Sequence, residues 1–596
     1  MTLSSILAQL LNGLAGASSL FLLAAGLSLI FGVTRIVNFA HGSFFMLGMY
    51  AAVALSAKVG FWIAVPVAAA GVGLLGSLIE VFLLRKIYRA PELLQLLATF
   101  ALVLVFRDAA LWLWGPEDLL GPRAPGFGGA VEIAGIPFPA YDLLVMVAGP
   151  AVLGVLFFLM KKTRFGLLVR AATDNREMAA ALGINEQWLF TGVFALGSLL
   201  AGLGGALAIP REPASLGMDL AAVSDAFVVV VVGGLGSIPG AFLAALLIAC
   251  VKAFAIGLGF SKATLVIEFV VMALVLVFRP WGLLGAPQPA ARAHDSMAAP
   301  LPKPSRRDRW MWAGVLAALA VLPFATDGYA LVLLADVFVF ALFAMSLHFL
   351  VGPGGMYSFG HAAFFGIGAY VASLLFLKKI LPMELALLAG PIGAALAALA
   401  FGWFTVRLAG VYAAMLTLAL AQIAWSAAFQ WDAVTGGSNG LIGVWPSSWL
   451  SSKAAYYWIT LVLCSAAIFL LVKTILGKPG QRLRATRDSP LRAEAIGIDV
   501  RRTQWLAFTL AGAAAGLAGA LYAFSKGSIS PEILGIPRSV DALVMVLLGG
   551  VQTLTGPVWG AALFTWLQDA AARNVEYWRA AVGAAILAFI LLRRSR

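Results

Sequence analysis

Residues 38–52 read NFAHGSFFMLGMYAA and residues 358–372 read SFGHAAFFGIGAYVA, two copies of one polar, histidine-bearing turn set in apolar sequence. His361 lies 320 residues after His41, and the same offset carries Phe44 and Phe45 to Phe364 and Phe365, Gly48 to Gly368 and Tyr50 to Tyr370. A second match pairs RAATDNREMAAALGIN (Arg170–Asn185) with RATRDSPLRAEAIGID (Arg484–Asp499) at an offset of 314. A third pairs SDAFVVVVVGGLGSIPGA (Ser224–Ala241) with VDALVMVLLGGVQTLTGP (Val540–Pro557) at 316. Three matches in one order at nearly constant offset define an internal repeat.

Composition places this repeat in a bilayer. Hydrophobic residues make up 62% of the 596 and charged residues 11%, against roughly half and a quarter in soluble domains. Apolar segments such as Leu143–Met160, Trp188–Ile209 and Ala455–Val472 are each long enough to cross a hydrocarbon core of about 30 Å as a helix. Met1–Ile30 lacks a basic leader and reads as a first, retained transmembrane helix. Cys250 and Cys464 sit in apolar runs and imply no disulfide framework.

The net charge of +13 is gathered in Arg85–Arg89, Lys161–Arg176, Arg279–Arg309, Lys473–Arg502 and Arg593–Arg596. These are short stretches at helix ends, as expected of cytoplasmic loops, and they lack the interleaved aromatics of a nucleic-acid binder. Holding them inside places the N terminus outside and the C terminus in the cytoplasm. Ala286–Arg309, APQPAARAHDSMAAPLPKPSRRDR, is rich in proline and charge and reads as a cytoplasmic linker. Domains are therefore expected at 1–285 and 311–596, joined by a linker over 286–310. Because the basic loops match, the repeats run parallel, and one extra helix within Met311–Thr326 must return the chain to the outside. The expected fold is an all-α polytopic membrane protein, two parallel homologous helical repeats about a pseudo-twofold axis. Roughly 17 to 20 crossings are expected, with glycine-broken half-helices among them.

A polar break at membrane depth is tolerated where protein buries it or where it lines a wet cavity. Asn38, His41, Ser358 and His361 are thus candidates for a substrate pathway, with Thr99 and Thr417 beside them. The competing reading is local: Asn38 and Ser358 cap the next helix while the imidazoles satisfy neighbouring carbonyls. The loops Arg170–Asn185 and Arg484–Asp499 each carry an Asp four residues after an Arg, then an alanine-rich run ending at glycine. A short helix there, repeated in equivalent loops, is a candidate docking surface, with Arg170, Asp174, Gly183, Arg484, Asp488 and Gly497 as its residues. Gly233, Gly234 and Gly240, matched by Gly549, Gly550 and Gly556, read as helix breaks or close-packing points.

NFAHGSFFMLGMY, the Arg170–Asn185 loop, GGLGSIPGA and RPWGLLG (Arg279–Gly285) resemble one permease subunit of the branched-chain amino acid ABC importers. VGPGGMYSFGHAAFFGIGAYVA, RLAGVYAAMLTLALAQI (Arg407–Ile423) and the Arg484–Asp499 loop resemble its partner permease. The chain thus looks like a fusion of two subunits that are usually separate. The C terminus, AILAFILLRRSR, departs from the RPxGL ending. The resemblance implies an inner-membrane permease with no cofactor of its own. ATP and Mg²⁺ would be bound by two ATPase subunits seated on the repeated loops, and an extracytoplasmic binding protein would deliver leucine, isoleucine or valine. Consistent with this, the chain contains no G-x-x-x-x-G-K-[ST] phosphate loop. Permeases for urea, short amides or other amino acids share the architecture. An ion-coupled secondary transporter would need intramembrane carboxylates, for which Glu80, Glu268 and Asp336 are the candidates. The histidines, His41, His294, His348 and His361, have no metal-site spacing.

Overall fold

The computed structural model describes residues 3–88, 90–133, 135–286 and 305–593. The linker expected at 286–310 lies mostly outside the described residues, as do Arg89 and the last three residues. The described chain is helical apart from two short ribbons, Ala130–Ile133 with Ile136–Pro139 and Leu441–Val444 with Gly527–Ile529.

Thirteen helices among the described residues are long and apolar enough to cross a membrane, with Ala362–Leu377 and Trp578–Leu592 shorter but apolar. The 17 to 20 crossings read from sequence also include glycine-broken segments too short for this count. Met218–Gly233 and Ile536–Gly549 span only 16 and 14 residues. Each is ended by a glycine at positive φ, Gly234 at 103° and Gly550 at 94°, a conformation that costs a residue with a Cβ roughly 1–2 kcal/mol. The glycines just before and after those ends then touch. A Cβ on Gly233 would lie 2.4 Å from Gly240 C, and one on Gly549 would lie 1.9 Å from Gly556 O. These residues both end the helix and let the next one return directly against it.

Two compact units divide the chain. One comprises Met1–Pro287 with Ala571–Arg596, and the other Gln288–Ala570. In the first, Glu186–Ala208 packs against Leu3–Thr34, Ala40–Val59 and Phe61–Ile79. Its repeat counterpart in the second, Val500–Lys526, packs against Gly328–Val351, Ala362–Leu377 and Met383–Thr405. Small residues set the crossing in both, because lipid offers no hydrophobic drive and close backbone approach must supply the contact. A Cβ on Gly48 would lie 2.4 Å from Gly202 O, and one on the matched Gly368 2.3 Å from Gly516 O.

The first unit takes the last helix of the second repeat, which a sequence division at 311–596 does not anticipate. Trp578–Arg593 packs on Glu92–Trp114. Asp108, 2% exposed, accepts from Ala580 N at 2.8 Å and lies 3.8 Å from Arg579. Its repeat counterpart, Thr264–Phe278, packs instead on Met218–Gly233 and Ile238–Gly257. The extra helix expected within Met311–Thr326 runs Arg306–Val321. It starts earlier because Ser305 and Asp308 form a capping box, a signal legible in Ser-Arg-Arg-Asp. Its far end is tied down where Tyr457 Oη donates to Leu319 O at 2.8 Å and Trp458 Nε1 donates to Ala320 O at 3.0 Å.

Candidate functional site

The repeated polar turn is held the same way in both units. In the first, Thr99 Oγ1 accepts from Phe39 N at 3.3 Å. In the second, Thr417 Oγ1 accepts from Phe359 N at 3.0 Å. Each hydroxyl stands in for the missing helical partner of an amide at the break, as an N-cap does. Thr99→Val and Thr417→Val are each expected to remove about 1 kcal/mol of stability, read as a drop of a few degrees in the melting temperature of purified protein. Unchanged melting in both would show that the break needs no cap.

His41 Nε2 donates to Leu23 O at 2.9 Å. The carbonyl that matches Leu23, Phe343 O, accepts instead from Ser346 Oγ at 2.7 Å, and that hydroxyl lies 2.8 Å from His361 Nε2. Ser346 spends its proton on the carbonyl, so Nε2–H of His361 is the donor to it. At the position matching Ser346 stands Gly26, where a Cβ would lie 2.9 Å from His41 Cε1. One unit therefore bonds imidazole to carbonyl directly, and the other inserts a hydroxyl between them.

Asn38, His41, Thr99, Ser358 and His361 have no solvent exposure, and Thr417 is 3% exposed. Three matched pairs nevertheless keep buried polar atoms with no partner among the described residues: Asn38 Nδ2 and Ser358 Oγ, both histidine Nδ1 atoms, and the hydroxyls of Tyr50 and Tyr370. Leaving such an atom unpaired costs about 1–3 kcal/mol. Each unit thus carries buried polar atoms whose remaining bonding is left to water or a polar ligand.

The second repeated motif folds as two short helices in each unit, Arg164–Asp174 with Arg176–Ala181 and Lys478–Asp488 with Pro490–Ala495. Asn175 and Ser489, both in extended backbone, separate them and cap the second helix. Asn175 Oδ1 accepts from Met178 N at 2.9 Å, and Ser489 Oγ accepts from Arg492 N at 3.4 Å. Asp174 and Asp488, singled out in the sequence, end the preceding helix. The Asx and Ser caps were readable from the residue that follows each Asp. Gly183 and Gly497 have φ of 81° and 82°. Past them Ile184 N donates to Ala179 O at 3.1 Å and Ile498 N to Ala493 O at 3.0 Å, closing each helix with a Schellman turn. Just before each glycine stands an apolar side chain in the open, Leu182 at 77% and Ile496 at 74% exposure. Arg170 donates to Met160 O and so ties its helix to the preceding Ala140–Lys162, whereas Arg484 Nε lies 3.4 Å from Gly480 O and braces its own helix.

Arg487 was missed. It is held by Asp488, at 2.8 Å in their ion pair, and its Nη1 donates to Gly352 O at 2.7 Å. Its Cγ would lie 2.4 Å from a Cβ on Gly355, whose φ is 63°. The Lys478–Asp488 helix is thereby tied to the loop entering the Ser358–His361 turn. The position matching Arg487 in the first unit is Thr173, which among the described residues bonds its own helix at Val169 O, 2.8 Å. His348, also set aside, ties its Nε2 to Val551 O at 2.9 Å beside the Gly550 break.

Each of the three carboxylates singled out from the sequence has a basic neighbour. Glu80 pairs with Arg85 at 3.1 Å, Glu268 with Lys252 at 2.6 Å and Asp336 with Lys526 at 2.6 Å. Among the described residues no group of three or more His, Cys, Asp or Glu could hold a metal ion.

The architecture is that of a two-repeat helical permease, and the sequence comparisons agree. The family model described as "Branched-chain amino acid transport system / permease component" matches twice, at residues 9–278 and 329–591, and the chain belongs to that family. A high-affinity branched-chain amino acid transport system permease protein of Pseudomonas aeruginosa, BraD, is 29% identical over 297 residues, 47% of this chain and 96% of its own length. LivH of Escherichia coli is 24% identical over 304 residues, 47% of this chain and 96% of its own. LivM of Escherichia coli is 26% identical over 279 residues, 42% of this chain and 66% of its own. The LivH and LivM relatives cover the two halves, so one polypeptide holds what are two proteins in these organisms. The protein is a multi-pass membrane transport permease.

Proposed function

We propose that this chain forms the membrane domain of an ATP-driven importer, carrying branched-chain amino acids from an extracytoplasmic binding protein into the cytoplasm. The observation that carries this reading is the matched pair of short helices. Each unit offers an exposed apolar residue, Leu182 or Ile496, on a glycine-ended turn. Solvated apolar side chains at equivalent positions are what two identical or related subunits would cover. Two ATPase subunits, which this chain does not encode, fill that role. By the positive-inside rule the basic residues around both loops favour the cytoplasmic side of the inner membrane, a reading with the N terminus outside and the linker and C terminus inside.

Within each unit the unpaired atoms at Asn38, His41 and Tyr50, and at Ser358, His361 and Tyr370, support a hydrated route bordered by the repeated turns. Thr99 and Thr417 hold those turns in shape. The bases beside Glu80, Glu268 and Asp336 favour the ATP-driven reading over proton or sodium coupling.

The test is uptake of labelled leucine into proteoliposomes holding this chain, the ATPase subunits and the binding protein. Uptake is expected to require ATP inside the side bearing the ATPases and to be unaffected by proton or sodium ionophores. Uptake without ATP, abolished by an ionophore, would overturn the reading. Labelled urea or a short amide competing more strongly than leucine would reassign the cargo.

A further inference from the structure

Val500–Lys526 is 27 residues long, about 40 Å at 1.5 Å per residue. One end follows the short Pro490–Ala495 helix, and the other, Lys526, opens the Gly527–Ile529 strand. Around that far end the second unit gathers charges and aromatic rings. Lys526 Nζ lies 2.6 Å from Asp336 Oδ2 and 5.6 Å from the centre of the Tyr522 ring. The Arg538 guanidinium lies 5.1 Å from the Phe340 ring and 5.7 Å from the same Tyr522 ring, and those two rings are 5.8 Å apart. Arg538 reaches Asp541 through one contact of 3.4 Å.

The cluster has bonding capacity left over. A guanidinium carries five N–H donors, and among the described residues Arg538 directs one, at long range, to a carboxylate. Asp336 Oδ1 is buried with no partner among the described residues. All four charged side chains remain between 15% and 32% exposed. The repeat supplies a control. Asp541 matches Asp225, but Arg538 matches Ala222, so the arginine is particular to the second unit.

Two cations and two carboxylates about aromatic faces complement a zwitterion. A guanidinium reads a carboxylate by paired N–H···O bonds, and an ammonium is held by a carboxylate or over a ring face. We propose that Arg538, Asp541, Lys526 and Asp336, set around Tyr522 and Phe340, form a receiving subsite for the head group of an α-amino acid. Arg538 takes the α-carboxylate, Asp541 takes the α-ammonium, and the rings lie along the side chain. The subsite stands at the end of its helix remote from the ATPase-facing pair. It rests on the reading of this chain as an amino-acid permease.

The purified full chain in nanodiscs, without partners, tests it by saturation-transfer NMR with millimolar leucine and with leucinol, which keeps the ammonium and side chain but lacks the carboxylate. Arg538→Gln is expected to weaken leucine binding by roughly tenfold or more, the size of one lost charge-assisted contact, while leucinol binds wild type and variant alike. Asp541→Asn is expected to weaken both ligands, and the double variant Arg538→Gln/Asp541→Asn, which leaves no unpaired charge behind, stays defective for leucine. Absence of leucine binding to wild type, a loss that treats leucine and leucinol equally in Arg538→Gln, or recovery in the double variant would each overturn the subsite and leave a purely structural ion pair. ATP dependence is not read in this experiment, so the importer reading and the subsite fail separately.

Discussion

Replacing Gly183 and Gly497 together with valine is expected to lower ATP-driven uptake by about tenfold or more while membrane insertion stays normal. Both residues have φ near +80°, and a Cβ built on either meets nothing within 4 Å. Space is therefore no obstacle, and the whole effect comes from backbone conformation. Forcing a β-branched residue into the left-handed region costs roughly 1–2 kcal/mol per site, enough together to displace the turn that presents Leu182 and Ile496. Asparagine tolerates that region, so Gly183→Asn/Gly497→Asn is expected to keep most activity. The measurement is ATPase activity stimulated by loaded binding protein, alongside uptake. If the valine pair retains both at the wild-type level, these turns are ordinary connections.

Arg487→Met is expected to cut uptake by about tenfold, because a hydrogen bond made by a charged group contributes roughly 1.5–3 kcal/mol and its loss leaves the Gly352 carbonyl without that donor. The same change leaves Asp488 unpaired. The variant should still bind the ATPase subunits, since Leu182, Ile496 and the turn glycines are untouched. ATPase activity that persists while uptake falls would place Arg487 in the transmission from the short helix to the Ser358–His361 turn. A parallel loss of subunit binding would make it a folding residue instead. Thr173→Val at the matching position in the first unit is expected to have little effect, since Thr173 bonds within its own helix.

Much of this was legible in the sequence because repetition doubles every signal. One polar turn in apolar sequence is ambiguous, whereas two at an offset of 320 that share Phe-Phe, Gly and Tyr fix the alignment of the halves. Gly48 and Gly368 could be placed at helix contacts by the same comparison. The details that escaped depend on side chains reaching beyond their own motif. Nothing local to Arg487 says that it meets Gly352, 135 residues earlier. The insertion of Ser346 between His361 and a carbonyl is visible only once its helix is packed. The caps Asn175 and Ser489 sit directly after conspicuous acidic residues, Asp174 and Asp488, and so are easily passed over. The placement of the last helix was illegible for a different reason: apolar membrane helices carry little information about which neighbour they choose, and here one buried carboxylate, Asp108, makes the difference.

That last helix changes how the molecule can be made. The first unit contains both the beginning and the end of the chain, Met1–Pro287 and Ala571–Arg596. During synthesis the intervening 283 residues, 288 through 570, must be threaded into the bilayer before Trp578–Arg593 is available to cover Asp108. At about 5–20 residues per second that is a delay of tens of seconds. The first half therefore waits, with one acidic group uncapped in an apolar helix, for the ribosome to finish the second. A nascent chain that stops before Trp578 leaves this acid without its cap, so the first unit is finished only when synthesis of the whole chain is.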